Sequence, residues 1–262
     1  MRQLIIVAWA VWFGMAATAQ ANPCLAPATL IDLAASNSVA SSDAASTTTS
    51  DNTRYLDNPD LLTGCQARLA AIQDNPCNIL FIGDSLTENW LTIGKPVWDK
   101  FYAPRHTLNF GVSGDGTQNV LWRLTNMNVQ VVTPKVAVIL IGTNNYANDP
   151  HEIAAGVEAV MANTEEVFPD VKIILVSILP NARANEKMMQ TNRLIKSFAD
   201  NSTSYYLDLV PLMPRVMTTT SDGQTDTNWK GIGDDGLNLT AAGYEIWANG
   251  MEPLLTKLLA NK

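Results

Sequence analysis

Histidine is almost missing from this chain. Among 262 residues there are two, His106 and His151, so any chemistry that needs an imidazole has two candidates. Basic residues are also scarce: 17 Lys and Arg stand against 25 Asp and Glu, a formal net charge of −8. No basic cluster offsets that excess, which argues against nucleic acid or an anionic membrane as the main partner and leaves neutral or cationic ligands open. The three cysteines, Cys24, Cys65 and Cys77, lack ligand spacing and the histidines are far apart, so no metal site is implied, nor any cofactor. No internal repeat is present. What the chain does have is apolar mass: 47% hydrophobic and 16% charged residues suit one globular core.

The first residues have the form of an export signal. Met1-Arg2-Gln3 supplies a positive start, Leu4 to Met15 a short apolar stretch, and Ala19-Gln20-Ala21 a small-x-small cleavage site. The alternative is an uncleaved anchor, but the run falls short of the about 20 residues a span needs. Asn22-Pro23 before Cys24 does not fit a lipoprotein signal. The expectation is a signal peptide over 1–21, no stable membrane span after cleavage, and a secreted or periplasmic protein. In an oxidising compartment one cysteine pair can form a disulfide. Cys65 with Cys77 would tie the leading helix to the first strand, Cys24 can replace either, and the bland reading is three unpaired thiols.

Residues 34–53 are rich in Ser, Thr, Ala and Asp and poor in large apolar side chains. Such a segment buries too little surface to offset its ordering entropy, so 22–58 reads as a flexible linker before a domain over 59–262. A helix is expected over 59–73. Apolar runs at 79–82, 107–110, 136–141, 173–178 and 205–209 read as strands. Helical patterns lie between them over 86–102, 117–124, 152–167, 186–199 and 240–259. The last shows an apolar stripe of Tyr244, Trp247, Met251, Leu254 and Leu258, with Pro253 expected to bend it. Strands alternating with helices imply a parallel sheet covered on both faces.

In such sheets ligands sit at the carboxyl ends of the strands. The first strand is followed by Gly83-Asp84-Ser85, the second by Gly111-Val112-Ser113-Gly114-Asp115, the third by Gly142-Thr143-Asn144-Asn145. Asp234-Asp235-Gly236-Leu237-Asn238 precedes the last helix. Four polar or glycine-rich turns on one edge exceed what a bland α/β domain requires. Ser85, at a strand-to-helix turn, can expose its hydroxyl with its N–H at a helix N-terminus, where developing negative charge is stabilised. The alternative is that Ser85 merely caps the helix. Glu88, Trp90 and Trp122 are candidates to line a pocket, though aromatics there more often pack.

These blocks resemble the SGNH (GDSL-type) hydrolases, and within them the branch of the platelet-activating factor acetylhydrolase catalytic subunits. Gly83-Asp84-Ser85-Leu86, Asn109-Phe110-Gly111-Val112-Ser113-Gly114-Asp115 with Val120-Leu121-Trp122-Arg123-Leu124, and Gly142-Thr143-Asn144-Asn145 occur in the family's order. The resemblance implies a three-layer α/β/α, flavodoxin-like fold with a parallel five-stranded sheet. It makes Ser85 the nucleophile, and the N–H groups of Ser85 and Gly114 with the amide of Asn144 the oxyanion hole. The fourth block departs from the family. The spacing survives as Asp235-Gly236-Leu237-Asn238, but Asn238 stands where the family has the histidine that takes the serine's proton. An amide binds no proton near neutral pH, whereas an imidazole with a pKa near 6.5 does.

Other bases are conceivable. His106 precedes the second strand and belongs at the opposite edge; His151 opens a helix on the same edge; Asp234 or Asp235 would act without the imidazole between. Two readings follow: an exported ester hydrolase taking a short acyl group from a carbohydrate or lipid, impaired at Asn238 or compensated there, and a non-catalytic module that binds such an acylated ligand. Nucleotide binding is disfavoured, because the first turn is too short to cradle phosphates and brings no Lys or Arg. The oligomeric state is open.

Overall fold

The computed structural model describes residues 53–72, 76–219 and 225–260. The signal-peptide expectation, Cys24 and most of the linker fall outside them. Five short apolar segments form the central sheet: β1 (Ile79–Gly83), β2 (Thr107–Gly111), β3 (Val136–Leu140), β4 (Lys172–Val176) and β5 (Ser204–Leu207). Their order is β2-β1-β3-β4-β5, parallel throughout. β1 and β3 are buried along their whole length, which is why they read as unbroken apolar runs.

Alternate residues feed opposite layers. Leu80 and Ile82 of β1 and Ile139 of β3 join one core with α2 (Thr63–Ile72), α5 (Thr117–Asn126), α6 (Pro150–Val167) and α7 (Asn185–Ile195). Ile79 and Phe81 of β1 and Val138 of β3 join the other with α4 (Lys95–Phe101) and α8 (Ala241–Ala260). That second core is aromatic: Phe81 lies edge-on to Trp90 and Trp98, and Trp90 packs 4.5 Å from Tyr244 and 5.1 Å from Trp247. The result is the three-layer α/β/α arrangement expected. The strand order reverses between β1 and β3, and such a switch point leaves a crevice at the carboxyl ends.

Local chemistry moves several boundaries. The helix expected over 86–102 divides into α3 (Ser85–Glu88), a 3₁₀ turn (Asn89–Leu91) and α4, separated at Gly94. α6 starts earlier than expected because Asp149 caps it, accepting the His151 and Glu152 N–H groups, with Pro150 in the first turn. α8 continues through Pro253, and its buried stripe is Tyr244, Trp247, Met251, Leu255 and Leu258; Leu254 is only partly buried. A hairpin not expected from the sequence, β6 (Arg215–Thr219) with β7 (Thr225–Trp229), follows β5. Its threonine-rich strands lack apolar alternation, so periodicity does not reveal them.

One expectation is corrected, and one open alternative is decided for the described residues. Residues 53–57, expected in the linker, form a helix, α1 (Thr53–Asp57), anchored by the buried Tyr55 against Trp122 at 5.1 Å. Cys65 and Cys77 are free and buried, not paired. Each is packed into the core: Cys77 Sγ faces the Ile79 carbonyl and Cys65 Sγ the Arg123 guanidinium. Burial pushes both thiols up to about 11. Native iodoacetamide treatment followed by peptide mass mapping should therefore leave both peptides unmodified, while denaturation should expose both; rapid native labelling of either would contradict this packing.

Candidate active site

The site begins where β1 ends. A Cβ on Gly83 would collide with the Thr87 side chain and the Leu140 carbonyl, so glycine lets α3 start directly against the sheet. Asp84 caps α3, its Oδ1 accepting the Leu86 N–H at 2.9 Å. The capping role considered for Ser85 therefore belongs to Asp84. Ser85 is the first helical residue and half-buried; its N–H has no acceptor within the helix and stands at the positive end of the dipole.

The loop after β2 brings in the second block. Gly114 adopts φ +80°, a conformation that favours glycine. Behind it the Asp115 carboxylate is fully buried and receives Arg123 Nε at 2.8 Å, Tyr55 Oη at 2.6 Å and Arg54 Nη1 at 3.2 Å. Arg123 is itself fully buried and also donates to the carbonyls of Phe110 at 2.6 Å and Gly83 at 3.2 Å. One guanidinium thus fastens the ends of β1 and β2 together.

The third block closes the cluster. Asn144 Nδ2 donates to the Asp115 carbonyl at 2.9 Å and makes a long 3.4 Å contact with Asp84 Oδ2, while its Oδ1 accepts from Arg183 Nη1 at 3.2 Å. Asn144 therefore touches the residue before Ser85 and the residue after Gly114. The helix-capping role is taken by its neighbour Asn145, whose Oδ1 accepts the Thr117 N–H at 3.0 Å. The turns after β1, β2 and β3 converge, as the sheet order requires.

The Asp235–Asn238 turn joins this edge through the loop after β4: the Ala182 N–H donates to the Gly236 carbonyl at 2.7 Å, and the next residue, Arg183, reaches Asn144. Asp235 Oδ1 accepts the N–H groups of Leu237 and Asn238, and Oδ2 accepts Asn238 Nδ2 at 2.6 Å. Burial pushes this carboxyl up, but the Asn238 amide and the backbone donors outweigh it and hold it below the usual range. The Asn238 side chain is turned onto its aspartate, where an imidazole N–H would sit. His151 is exposed in the first turn of α6; His106 is exposed before β2, at the other end of the sheet. Among the described residues Ser85 Oγ has no hydrogen-bond partner, and no group of three His, Cys, Asp or Glu could hold a metal. No helix among them is long and apolar enough to cross a membrane.

A hollow of about 350 Å³ adjoins Asp235 and Gly236, lined also by Asn181, Asn185, Arg215, Asn228, Trp229 and Asp234. The hairpin supplies its far wall, with Arg215 stacked 4.3 Å over Trp229. Trp90 and Trp122 are core residues, and Glu88 braces the loop by accepting the Ser113 N–H at 2.9 Å. None of these three lines the hollow.

Asp84 carries a burden of its own. Burial, with a smaller contribution from Asp115, raises its pKa to about 7 against the opposing Leu86 N–H. A carboxyl bound more tightly to its proton in the folded state loses stability as pH rises from its unfolded value near 4 to its folded value near 7. Asp84→Asn keeps an N-capping oxygen and removes that ionisation, so its melting temperature relative to the native chain should rise between pH 5 and pH 8. A difference that is flat with pH would contradict the buried-carboxyl account.

Parallel strands with a serine turn, a glycine turn and an asparagine turn gathered at their carboxyl ends define the class: a three-layer α/β/α hydrolase fold. The chain belongs to the GDSL-like Lipase/Acylhydrolase family, which matches residues 81–246. It is 32% identical over 197 residues to the platelet-activating factor acetylhydrolase IB subunit alpha1 of Homo sapiens, covering 73% of this chain and 81% of that one. The Bos taurus alpha2 subunit is 31% identical over 191 residues, covering 71% and 80%. Among solved structures, one from Streptococcus pneumonia superposes with TM-score 0.59 at 23% identity over 79% of this chain and 99% of that one. A carbohydrate esterase family 3 structure from Talaromyces cellulolyticus gives TM-score 0.52 at 16% identity over 71% and 99%. Both share the fold.

Sequence reasoning named Ser85, Gly114, Asn144, Asp235 and Asn238 but missed the groups that hold them. Arg123, quoted in the second block but given no role, had a signal, a charge set between Trp122 and Leu124, which must be paired if buried. Arg54, Tyr55 and Arg183 had none.

Proposed function

We propose that this protein is an exported serine ester hydrolase that takes a short acyl group, acetyl above all, from a carbohydrate or lipid ester, and works far below its potential because Asn238 occupies the proton acceptor's position. Ser85 Oγ attacks the acyl carbon and loses its proton to solvent, since no side-chain base stands by. The N–H groups of Ser85 and Gly114 with Asn144 Nδ2 receive the oxygen that becomes charged, the C–O bond to the alcohol breaks, and water then hydrolyses the acyl-serine to return the hydroxyl. The observation that carries this reading is the 2.9 Å bond from Asn144 to the Asp115 carbonyl, which locks the third block against the second beside Ser85. Asn144 Nδ2 makes one short bond, to the Asp115 carbonyl, and one long 3.4 Å bond, to Asp84 Oδ2, and the longer is the one a ligand oxygen would displace. The acetylhydrolase relatives favour acetyl as the acyl group. The hollow beside Asp235 is polar but is lined by none of Ser85, Gly114 and Asn144, so it suits a polar leaving group that extends away from the serine. Residues 1–21 support export.

The missing base sets the rate. Removing a triad member costs about 10⁴- to 10⁶-fold in turnover, and roughly 10³-fold over water persists from binding and the oxyanion hole. Slow p-nitrophenyl acetate hydrolysis that disappears in Ser85→Ala is the expected result; turnover indifferent to Ser85→Ala would overturn the assignment. A second reading, binding without cleavage, is favoured by the 2.6 Å bond that ties the Asn238 amide to Asp235. It predicts saturable binding of an acetylated ligand with no release of acetate.

A further inference from the structure

We propose that Arg54 and Arg183, which lie outside the blocks that carry the family resemblance, are positioning residues of the oxyanion hole, and that the N-terminal helix α1 is therefore part of the active site. This rests on the Ser85 reading. The argument concerns peptide planes. The Gly114 N–H and the Ser113 carbonyl belong to one amide unit and point in opposite directions. Arg54 Nη2 donates to the Ser113 carbonyl and Nη1 pairs with the Asp115 carboxylate at 3.2 Å. A Cβ on Gly114 would lie 2.8 Å from Arg54 Nη2, so the guanidinium rests directly on that glycine.

A single rigid fork thus bridges the residues on either side of Gly114. The loop needs such a brace, because β2 ends at Gly111 and no ladder bond reaches Gly114. Among the described residues the Gly114 N–H has no acceptor, which leaves it free for a ligand. A cation on the carbonyl also draws charge through the amide and makes its N–H a stronger donor. Tyr55, the next residue of α1, adds its 2.6 Å bond to Asp115 and holds the helix in place.

Asn144 repeats the arrangement on a side chain. Arg183 Nη1 donates to Oδ1 at 3.2 Å, and the same amide carries Nδ2, whose long 3.4 Å bond to Asp84 is the one an acyl oxygen would displace. Arg183 is steadied by the face of Tyr146, 4.7 Å from its guanidinium. It is exposed, so its effect should be the smaller of the two.

The test uses the full chain carrying Asn238→His, in which Ser85-dependent turnover is high enough to divide into kcat and KM. Arg54→Ala should lower kcat by about 10- to 100-fold with KM within about twofold, since the brace acts on a donor used most in the transition state. Arg54→Lys should recover only part, and methylguanidinium added to Arg54→Ala should raise kcat again. Arg183→Gln should lower kcat by about 3- to 10-fold. Unchanged kcat in a folded Arg54→Ala protein, or a loss confined to KM, overturns the proposal.

Amide hydrogen exchange on the otherwise native chain separates this claim from the esterase reading. The Ser113 and Asp115 N–H groups donate to Glu88 Oε2 and the Val112 carbonyl, and their exchange should quicken at least about tenfold in Arg54→Ala. If Asn238→His shows no Ser85-dependent turnover, the esterase reading fails, and unchanged exchange at those amides would sink the role of Arg54 as well.

Discussion

Asn238→His is expected to raise Ser85-dependent hydrolysis of p-nitrophenyl acetate by about 10²- to 10⁴-fold. The turn at that position already holds a carboxylate that an imidazole could donate to. Asp235 holds its carboxyl below the usual range and places Oδ2 2.6 Å from the Asn238 amide nitrogen. A histidine Nδ1–H would take over that bond and leave Nε2 to accept the serine proton. Asparagine keeps the hydrogen bond but cannot hold a proton, so the aspartate orients a group that does no acid–base work. The pH profile supplies a second signature. The imidazole must be neutral to accept a proton, so activity should rise with pH through a single ionisation near neutrality, shifted upward by the ionised Asp235. Ser85→Ala in the same background should remove the gain. A folded Asn238→His protein with no such gain would mean that Asp235–Asn238 does not face Ser85.

The second large effect concerns stability. Arg123→Met should destabilise the fold by about 3–5 kcal/mol, because it strands the Asp115 carboxylate in the core and frees the carbonyls of Phe110 and Gly83. For a domain of this size that lowers the melting temperature by about 10 °C. The loss should be partly recovered by also changing Asp115→Asn, since a neutral amide costs less to bury than an unpaired charge. Tyr55 and Arg54 still contact Asp115 in the single variant, so the penalty falls short of a bare buried charge. A thermal shift of only a degree or two in Arg123→Met would show that the guanidinium does not hold β1 and β2 together.

The residues explain why some of this was legible in the sequence and some was not. β1 and β3 are buried on both faces, so an unbroken apolar run is their signature, and the turns after them were located by where those runs stop. The glycines at 83, 114 and 142 mark backbone that another residue would strain or block, and they pointed to the site. The order β2-β1-β3 then made three separate turns adjacent, a step that needs topology and not only motif. Periodicity failed where long-range contacts decide the conformation. α1 lies in a stretch of low apolar content, and the buried contacts of Tyr55 with Trp122 and Asp115 accompany its helix. The β6–β7 hairpin has exposed strand residues such as Met217 and no apolar alternation. Arg183 is an exposed loop residue, and nothing in its local sequence marks its contact with Asn144 across the sheet edge.

The central claim is that the turns after β1, β2 and β3 hold one acyl oxygen beside the Ser85 hydroxyl. A crystal structure of Asn238→His after reaction with a fluorophosphonate tests it most directly. The adduct should sit on Ser85 Oγ with its phosphoryl oxygen about 2.7–3.1 Å from the N–H groups of Ser85 and Gly114 and from Asn144 Nδ2. An unmodified Ser85, or an adduct whose oxygen faces solvent away from Gly114 and Asn144, would contradict the account.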